Sequence, residues 1–226
     1  MRISRAGARY AFRMLRNPTQ RKHIFRWLES LKDRYFIEQK QPWLIFDAID
    51  YLNSLPLEGK RIFEYGSGGS TLYWISRNMS GVSVEHDPKW YASVSALISP
   101  QIDYRLVQPE KSDMGGSVDI ADPLMYASND INFRGFNFRD YASQIDAFPP
   151  DYFDVVLVDG RARPACVAHS VCKVKVRGIL ILDNADLSYY TAKTQDYLRN
   201  YRRLSFYGVG PGTYQEWRTD VYVREQ

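Results

Sequence analysis

Two unbroken apolar runs constrain this chain more than any other feature of it. The segments "FDVVLVDG" (153–160) and "GILILDN" (178–184) read as short strands, and neither alternates polar with apolar residues. A strand that is apolar on both sides needs cover on both faces. A mostly parallel sheet with helices above and below it meets that condition. Three earlier segments, "RIFEY" (61–65), "VSVEH" (82–86) and "DYRLVQ" (103–108), read as further strands, separated by the helical stretches "TLYWISRNM" and "KWYASVSALI". Helices are also expected over "FRDYASQIDAF", "RPACVAHSVCKVK" and residues 190–202. The segments "RLSFYGVG" and "RTDVYVRE" read as a closing strand pair. Ligands on such sheets bind outside the carboxyl ends of the strands, where the strand order reverses.

Three more helical stretches precede the first strand. Residues 2–16 form the first, which Asn17-Pro18 ends because the residue before proline is pushed out of the helical region. The second runs from about Arg21 to Phe36. The third, "WLIFDAIDYLNSL", opens after Pro42, tolerated in a first turn, and is closed by Pro56 and Gly59. The chain divides into a helical extension, 1–40, and an α/β domain, 41–226. Residues 109–137 form a long irregular insertion, and a loop of that length in a compact domain is usually functional or mobile.

The net charge of +4 is unevenly placed. Eight basic residues lie between Met1 and Leu28 with no Asp or Glu among them, so the remainder of the chain carries −4. Arg2, Arg5, Arg9, Arg13 and Arg16 share one side of the first helix, with Ile3, Tyr10, Ala11, Met14 and Leu15 on the other. Such a helix suits an anionic membrane surface. It equally suits docking of its apolar side on its own domain or on a second copy of the chain. Aromatic residues continue through Trp27, Tyr35 and Phe36, which reads as packing, so no nucleic-acid partner is expected. The composition also fits an organellar transit peptide. No apolar run is long enough to span a membrane or to open a secretory signal, and two cysteines, Cys166 and Cys172, make no disulfide framework. A cytoplasmic protein, peripheral at a membrane if the first helix acts there, is the expectation.

The first strand leads into Glu64-Tyr65-Gly66-Ser67-Gly68-Gly69-Ser70-Thr71, ahead of a helix. Glycines there permit positive φ and close approach of a ligand to the backbone. Glu85 lies 21 residues beyond Glu64, at the tip of the second strand, where an acid can accept both hydroxyl hydrogens of a ribose. A dinucleotide fingerprint is one reading. Thr71 in place of the third glycine, and a carboxylate at Glu64 beside a would-be pyrophosphate, oppose it. An ordinary strand-to-helix turn is another.

The segments "FEYGSGGST", "VSVEHD", "FDVVLVDGRAR" and "GILILDN" together resemble the class I S-adenosylmethionine-dependent methyltransferases, over roughly residues 42 to 224. The resemblance implies a doubly wound, mostly parallel seven-stranded sheet with an antiparallel C-terminal strand pair. It implies that Glu64, Gly66, Ser67, Gly68, Ser70 and Thr71 hold the methionine part of S-adenosylmethionine, that Glu85 holds the ribose with His86 and Asp87 beside it, and that Asp140 and Tyr141 border the adenine. It also implies methyl transfer to a small-molecule acceptor, on oxygen. Gly115-Gly116 and the aromatics of the insertion then suit a lid and an acceptor wall.

Asp159 ends the fourth of these strands and Asp183-Asn184 end the fifth, facing one crevice. This arrangement resembles the catechol-type O-methyltransferases, where such a set holds a divalent metal. "DGRAR" departs from that pattern, so metal-free action with Asp159 or Asp183 as general base is favoured over a metal on Asp159, Asp183 and Asn184. Acids that merely cap the following helices are a further reading. Arg161 and Arg163 suit a clamp on a carboxylate or phosphate of the acceptor, which leans the substrate towards an acidic molecule or a sugar acid. Surface arginines paired with nearby acids would look the same. Two other functions remain open: an NAD(P)-dependent oxidoreductase, and a non-catalytic membrane- or partner-binding protein.

Overall fold

The structure, a computed structural model, describes residues 4–32, 35–112 and 118–226. Arg2 and Ile3 of the first helix, and Gly115 and Gly116 of the insertion, lie outside the described residues.

The N-terminal helices are α1 (Arg5–Arg16), α2 (Ile24–Ser30), α3 (Tyr35–Glu38) and α4 (Phe46–Ser54). The sheet then begins: β1 (Arg61–Tyr65), α5 (Gly69–Ser76), β2 (Ser80–Glu85), α6 (Pro88–Ser95) and β3 (Ile102–Leu106). The insertion opens with β4 (Glu110–Lys111) and closes with β5 (Phe136–Asn137). After it come α7 (Arg139–Ser143), β6 (Phe153–Val158), α8 (Arg163–Ser170), β7 (Val174–Leu182), α9 (Ser188–Thr191), β8 (Tyr201–Val209) and β9 (Glu216–Arg224).

The seven-stranded sheet has the order β3-β2-β1-β6-β7-β9-β8. Its first five strands are parallel, and β9 runs antiparallel to both β7 and β8. The expected doubly wound architecture is therefore present, with its antiparallel end. The all-parallel six-stranded order of dinucleotide-binding folds is not, which removes the fold argument for the oxidoreductase reading. The order reverses at β1, whose neighbours are β2 and β6. The switch point lies between their carboxyl ends.

Alternation along the strands sorts the core into two layers. Phe63, Tyr65, Val82, Val84, Val156 and Val158 pack under α7 and α8, whereas Ile62, Val155, Leu157, Ile179 and Ile181 pack under the N-terminal helices and α5. Tyr10, Met14, Ile24 and Trp27 belong to that second layer. The side of α1 that carries Tyr10 and Met14 is thus docked on its own chain, burying side chains worth about 1.5–3 kcal/mol each, while Leu15, expected on that side, is exposed. Helices α1 and α2 therefore share the core of the sheet.

Three local expectations need correction. The helix expected over 21–36 is a 3₁₀ turn at Arg21–His23 followed by α2 and, further on, α3. The helix expected over 190–202 shrinks to α9, with turns from Ala192 to Asn200 before β8 opens at Tyr201. The insertion is not wholly irregular, because β4 and β5 pair antiparallel and close its base.

Candidate active site

The loop after β1 is held from below before it meets any ligand. Glu64 follows the parity of Ile62 and so points beneath α5, where it is fully buried. Its carboxylate accepts from Thr71 Oγ1 (2.5 Å), Ser83 Oγ (2.6 Å) and Trp74 Nε1 (3.0 Å). Burial pushes its pKa up, against those hydrogen bonds. The structure therefore does not put Glu64 in reach of a cationic ligand tail. It ties the loop to the strand below, and Thr71 and the buried Ser70 face inward with it. Gly66, at φ 89°, approaches the next loop so closely that an added Cβ would stand 2.9 Å from Gly160 Cα. The loops after β1 and β6 thus touch at the switch point. Gly68 is covered by Trp90, whose Nε1 donates to Ser67 O at 2.8 Å.

Above this floor lies a cavity of about 580 Å³. Its walls come from the ends of three strands: Gly66 and Ser67 after β1, Glu85 to Asp87 after β2, and Asp159 to Arg161 after β6. Glu85 accepts from the backbone N–H groups of His86 (2.7 Å), Asp87 (2.9 Å) and Ser67 (3.1 Å), and from Ser67 Oγ at 2.9 Å. Burial raises its pKa, but the His86 ring and these N–H groups outweigh burial and hold it below the usual carboxylate range. It stays ionised, facing the cavity, with a hydroxyl already on it. Asp87 spends one oxygen capping α6, accepting from Lys89 and Trp90 N–H.

The remaining wall comes from the insertion, which contributes Asp130, Asn132 and Phe133. The Phe133 ring lies 5.0 Å from that of His86. Arg161 bridges the two parts, donating to His86 Nε2 at 3.2 Å and pairing with Asp130 at 2.8 Å. Asp140 and Tyr141 are not in this wall. Asp140 is exposed on α7, and Tyr141 is buried behind Gly160, against the rings of His86 and Tyr65. Arg161 faces the same crevice as Glu85 and lies away from the fifth-strand acids, so its expected role as an acceptor clamp is not supported by its position.

A second cavity, of about 370 Å³, adjoins the first. It is lined by Asp159, Asp183 and Asn184 together with Trp43, Thr213, Gln215 and Trp217. Asp159 lines both cavities. Beneath it, Arg163 is buried, an unexpected place for a residue read as a surface or substrate arginine. Its guanidinium donates to the backbone oxygens of Asp183 (2.5 Å), Asp159 (3.0 Å) and Gly160 (3.1 Å), and pairs with the Asp159 carboxylate at 3.0 Å. Asp183 accepts from Thr219 Oγ1 (2.5 Å) and Trp217 Nε1 (2.9 Å). Burial pushes the Asp159 carboxyl up to about 8, against the pull of Arg163, and raises Asp183 in the same way.

These residues do not fit a divalent metal. Hard cations want several free oxygen donors, but Arg163 already supplies the positive charge between the two acids, 3.0 Å from one and 4.0 Å from the other. One oxygen of Asp183, Oδ1, is already taken by two donors, Thr219 and Trp217. Among the described residues, the titratable groups close enough to share an ion are His23, Asp47 and Asp50, far along the chain from this crevice, and Lys22 and Arg26 already pair with those carboxylates.

Sequence reasoning found the strand-end residues and missed Trp43, Trp90, Asp130, Asn132, Phe133, Thr213, Gln215 and Trp217. Most of those come from turns and from the insertion, where no periodicity assigns a direction to a side chain; Trp90 lies on α6 and Trp217 on β9.

Strand order, crevice and the acid at the tip of β2 together define the fold of class I S-adenosylmethionine-dependent methyltransferases. No protein-family model matches the chain, and no curated protein matches it in sequence. Among solved structures, it is similar to the O-methyltransferase from Bacillus cereus in complex with SAH, at 14% identity over 85% of this chain and 92% of that one, with a TM-score of 0.52. It is also similar to a proposed O-methyltransferase from Klebsiella pneumoniae, at 14% identity over 79% of each chain, with a TM-score of 0.51. At these identities the likeness establishes the fold.

Proposed function

We propose that this chain is an S-adenosylmethionine-dependent methyltransferase that methylates a hydroxyl of a small-molecule acceptor without a metal. The observation that carries the reading is Asp159, which lines both the crevice holding Glu85 and the neighbouring cavity. A group placed there faces two ligands at once. The first cavity falls within the range of roughly 300–1,000 Å³ used for small molecules. Glu85 would hold the ribose hydroxyls, one of them taking the place of Ser67 Oγ as donor to its carboxylate. His86, Phe133 and Trp90 would flank the base. Bound S-adenosylmethionine supplies a methyl carbon whose bond to the sulfonium breaks as its bond to the acceptor oxygen forms.

The chain's own residues then have two tasks. The cavity walls align the acceptor oxygen, which is the larger part of such a displacement. Asp159 takes the hydroxyl proton, and its raised pKa matches it to that task better than an ordinary carboxylate would. Arg163 keeps that carboxylate in place and balances its charge. Calorimetric titration with S-adenosylhomocysteine and with NAD tests the reading. Binding of the first and not the second is the expected result; binding of NAD alone would return the oxidoreductase.

A second reading concerns α1 and does not compete with the first. With Tyr10 and Met14 buried, the outward face of α1 carries Arg5, Arg9, Arg13 and Arg16. Phe12 and Leu15 stand among them, 56% and 55% exposed. Arginines around two exposed apolar side chains suit contact with an anionic lipid surface.

A further inference from the structure

We infer that the second cavity takes an uncharged, hydroxylated ring, a neutral sugar unit, as the acceptor; this rests on the methyltransferase reading above. An acidic acceptor, which the arginines of the sequence favour, finds no partner there. Arg163 commits its guanidinium to three backbone oxygens and the Asp159 carboxylate. Arg161 faces the other cavity, tied to Asp130. Among the described residues, those lining the cavity include two carboxyl groups and no free cation. A carboxylate or phosphate entering it would find no uncommitted cation to pair with in a partly desolvated space, where an unpaired charge is costly.

The remaining lining has the character a sugar needs. Trp43 is stacked on Phe36, with ring centroids 4.4 Å apart and planes 12° apart. One face of its indole is therefore covered and fixed, while the residue stays 49% exposed and lines the cavity. A flat aromatic face held rigidly in a half-open pocket suits the apolar face of a pyranose. Around it stand the hydroxyl of Thr213 and the side-chain amides of Asn184 and Gln215, which offer both donors and acceptors. A site with that many polar groups discriminates against a ring lacking hydroxyls, because its own groups would be left unpaired. A plain phenol is disfavoured on that ground.

The rim is also rigid. Trp27 Nε1 donates to Thr213 O at 2.7 Å, and Tyr10 hydroxyl donates to Gln215 O at 2.8 Å. The full chain is needed to present it.

The test reads sugar binding directly on the full-length protein, by ligand-observed saturation-transfer NMR. The probes are methyl glycosides of glucose, galactose, mannose and rhamnose, compared with glucuronic acid, catechol and ethanolamine. S-adenosylhomocysteine binding is measured separately by calorimetry. At least one neutral glycoside is expected to bind more tightly than every comparator and to accept labelled methyl. Trp43→Ala should weaken that glycoside about tenfold, the scale of a lost stacking contact. Trp43→Phe should restore most of it, and both variants should bind S-adenosylhomocysteine as wild type does. If the comparators bind and the glycosides do not while S-adenosylhomocysteine still binds, the acceptor class is wrong and the methyltransferase reading stands. If S-adenosylhomocysteine fails to bind, both fall. Equal glycoside binding by Trp43→Ala and wild type also overturns the proposal.

Discussion

The guanidinium of Arg163 stands 3.0 Å from the carboxylate of Asp159 and takes hold of the same residue's backbone oxygen at 3.0 Å, so one buried cation fixes both the side chain and the main chain of that acid. A carboxylate anchored so firmly costs little reorganisation when a proton arrives. Substitution of Asp159 should separate chemistry from binding. Asp159→Asn is expected to leave S-adenosylhomocysteine affinity unchanged by calorimetry and to lower kcat roughly 10²–10⁴-fold. Equal turnover by variant and wild type would remove Asp159 from the proton transfer.

The same acid gives opposite pH trends in stability and rate. Asp159 and Asp183 both have folded-state pKa values raised by burial. The folded protein then binds their protons more tightly than the unfolded chain does. The stability this contributes is complete below about pH 4, the unfolded carboxyl value, and is lost as the pH rises towards 8. Turnover climbs through the same window, because only the ionised carboxylate accepts a proton. Thermal melts and initial rates across about pH 5 to 9 check both. Asp159→Asn should flatten the melting slope, and a rate profile without an ascending limb would contradict the assignment.

Glu85 is the group on which cofactor affinity should depend most. Its carboxylate is held ionised and faces the larger cavity. Glu85→Ala removes a charged acceptor for two hydroxyls, each such hydrogen bond being worth about 1.5–3 kcal/mol, and so should weaken S-adenosylhomocysteine at least about tenfold. Undiminished affinity in calorimetry would place the ligand elsewhere.

Glu64 should behave differently, although it belongs to the same glycine-loop motif. Glu64→Ala leaves Thr71, Ser83 and Trp74 without their shared acceptor inside the core. The expected result is a loss of about 2–5 kcal/mol in urea unfolding. Retained stability combined with lost ligand binding would instead indicate direct contact with the ligand.

The lipid reading of α1 is best tested without deleting the helix, since Tyr10 and Met14 are part of the core. Arg9→Glu with Phe12→Ser alters only exposed positions. Wild type should sediment with vesicles containing phosphatidylserine and not with neutral ones, and the double variant should lose that binding. Sedimentation of neither protein with anionic vesicles ends the idea.

The central strands were legible because burial on both faces leaves an apolar run that no surface segment shares, as at β6, and β1 was placed at its true bounds as the short strand leading into the glycine loop. Strand ends were therefore legible too, and with them Glu85, Asp159 and Asp183. Side-chain direction was not. Glu64 was expected at the ligand, but strand parity turns it under α5, a fact that needs the neighbouring helix to be known. Arg163 was read beside Arg161 as one of a pair, yet Arg161 lies in the turn before α8 and Arg163 opens the helix after a left-handed Ala162, so Arg163 is buried and Arg161 lines a crevice. The base-side wall was missed for another reason. Asp130 and Phe133 reach the crevice only because β4 and β5 pair over a 24-residue gap between Lys111 and Phe136, and nothing local in the sequence encodes that closure.

Tyr10 and Trp27 each donate to a carbonyl in the turn between β8 and β9, and that turn supplies Thr213 and Gln215 to the smaller cavity. The first two helices are thus mechanically in series with the pocket wall. Removing either helix would withdraw a hydrogen-bond donor from the turn that borders the place where the second substrate would sit. A chain trimmed to its α/β portion would keep the strand ends and lose the shape of the pocket beside them.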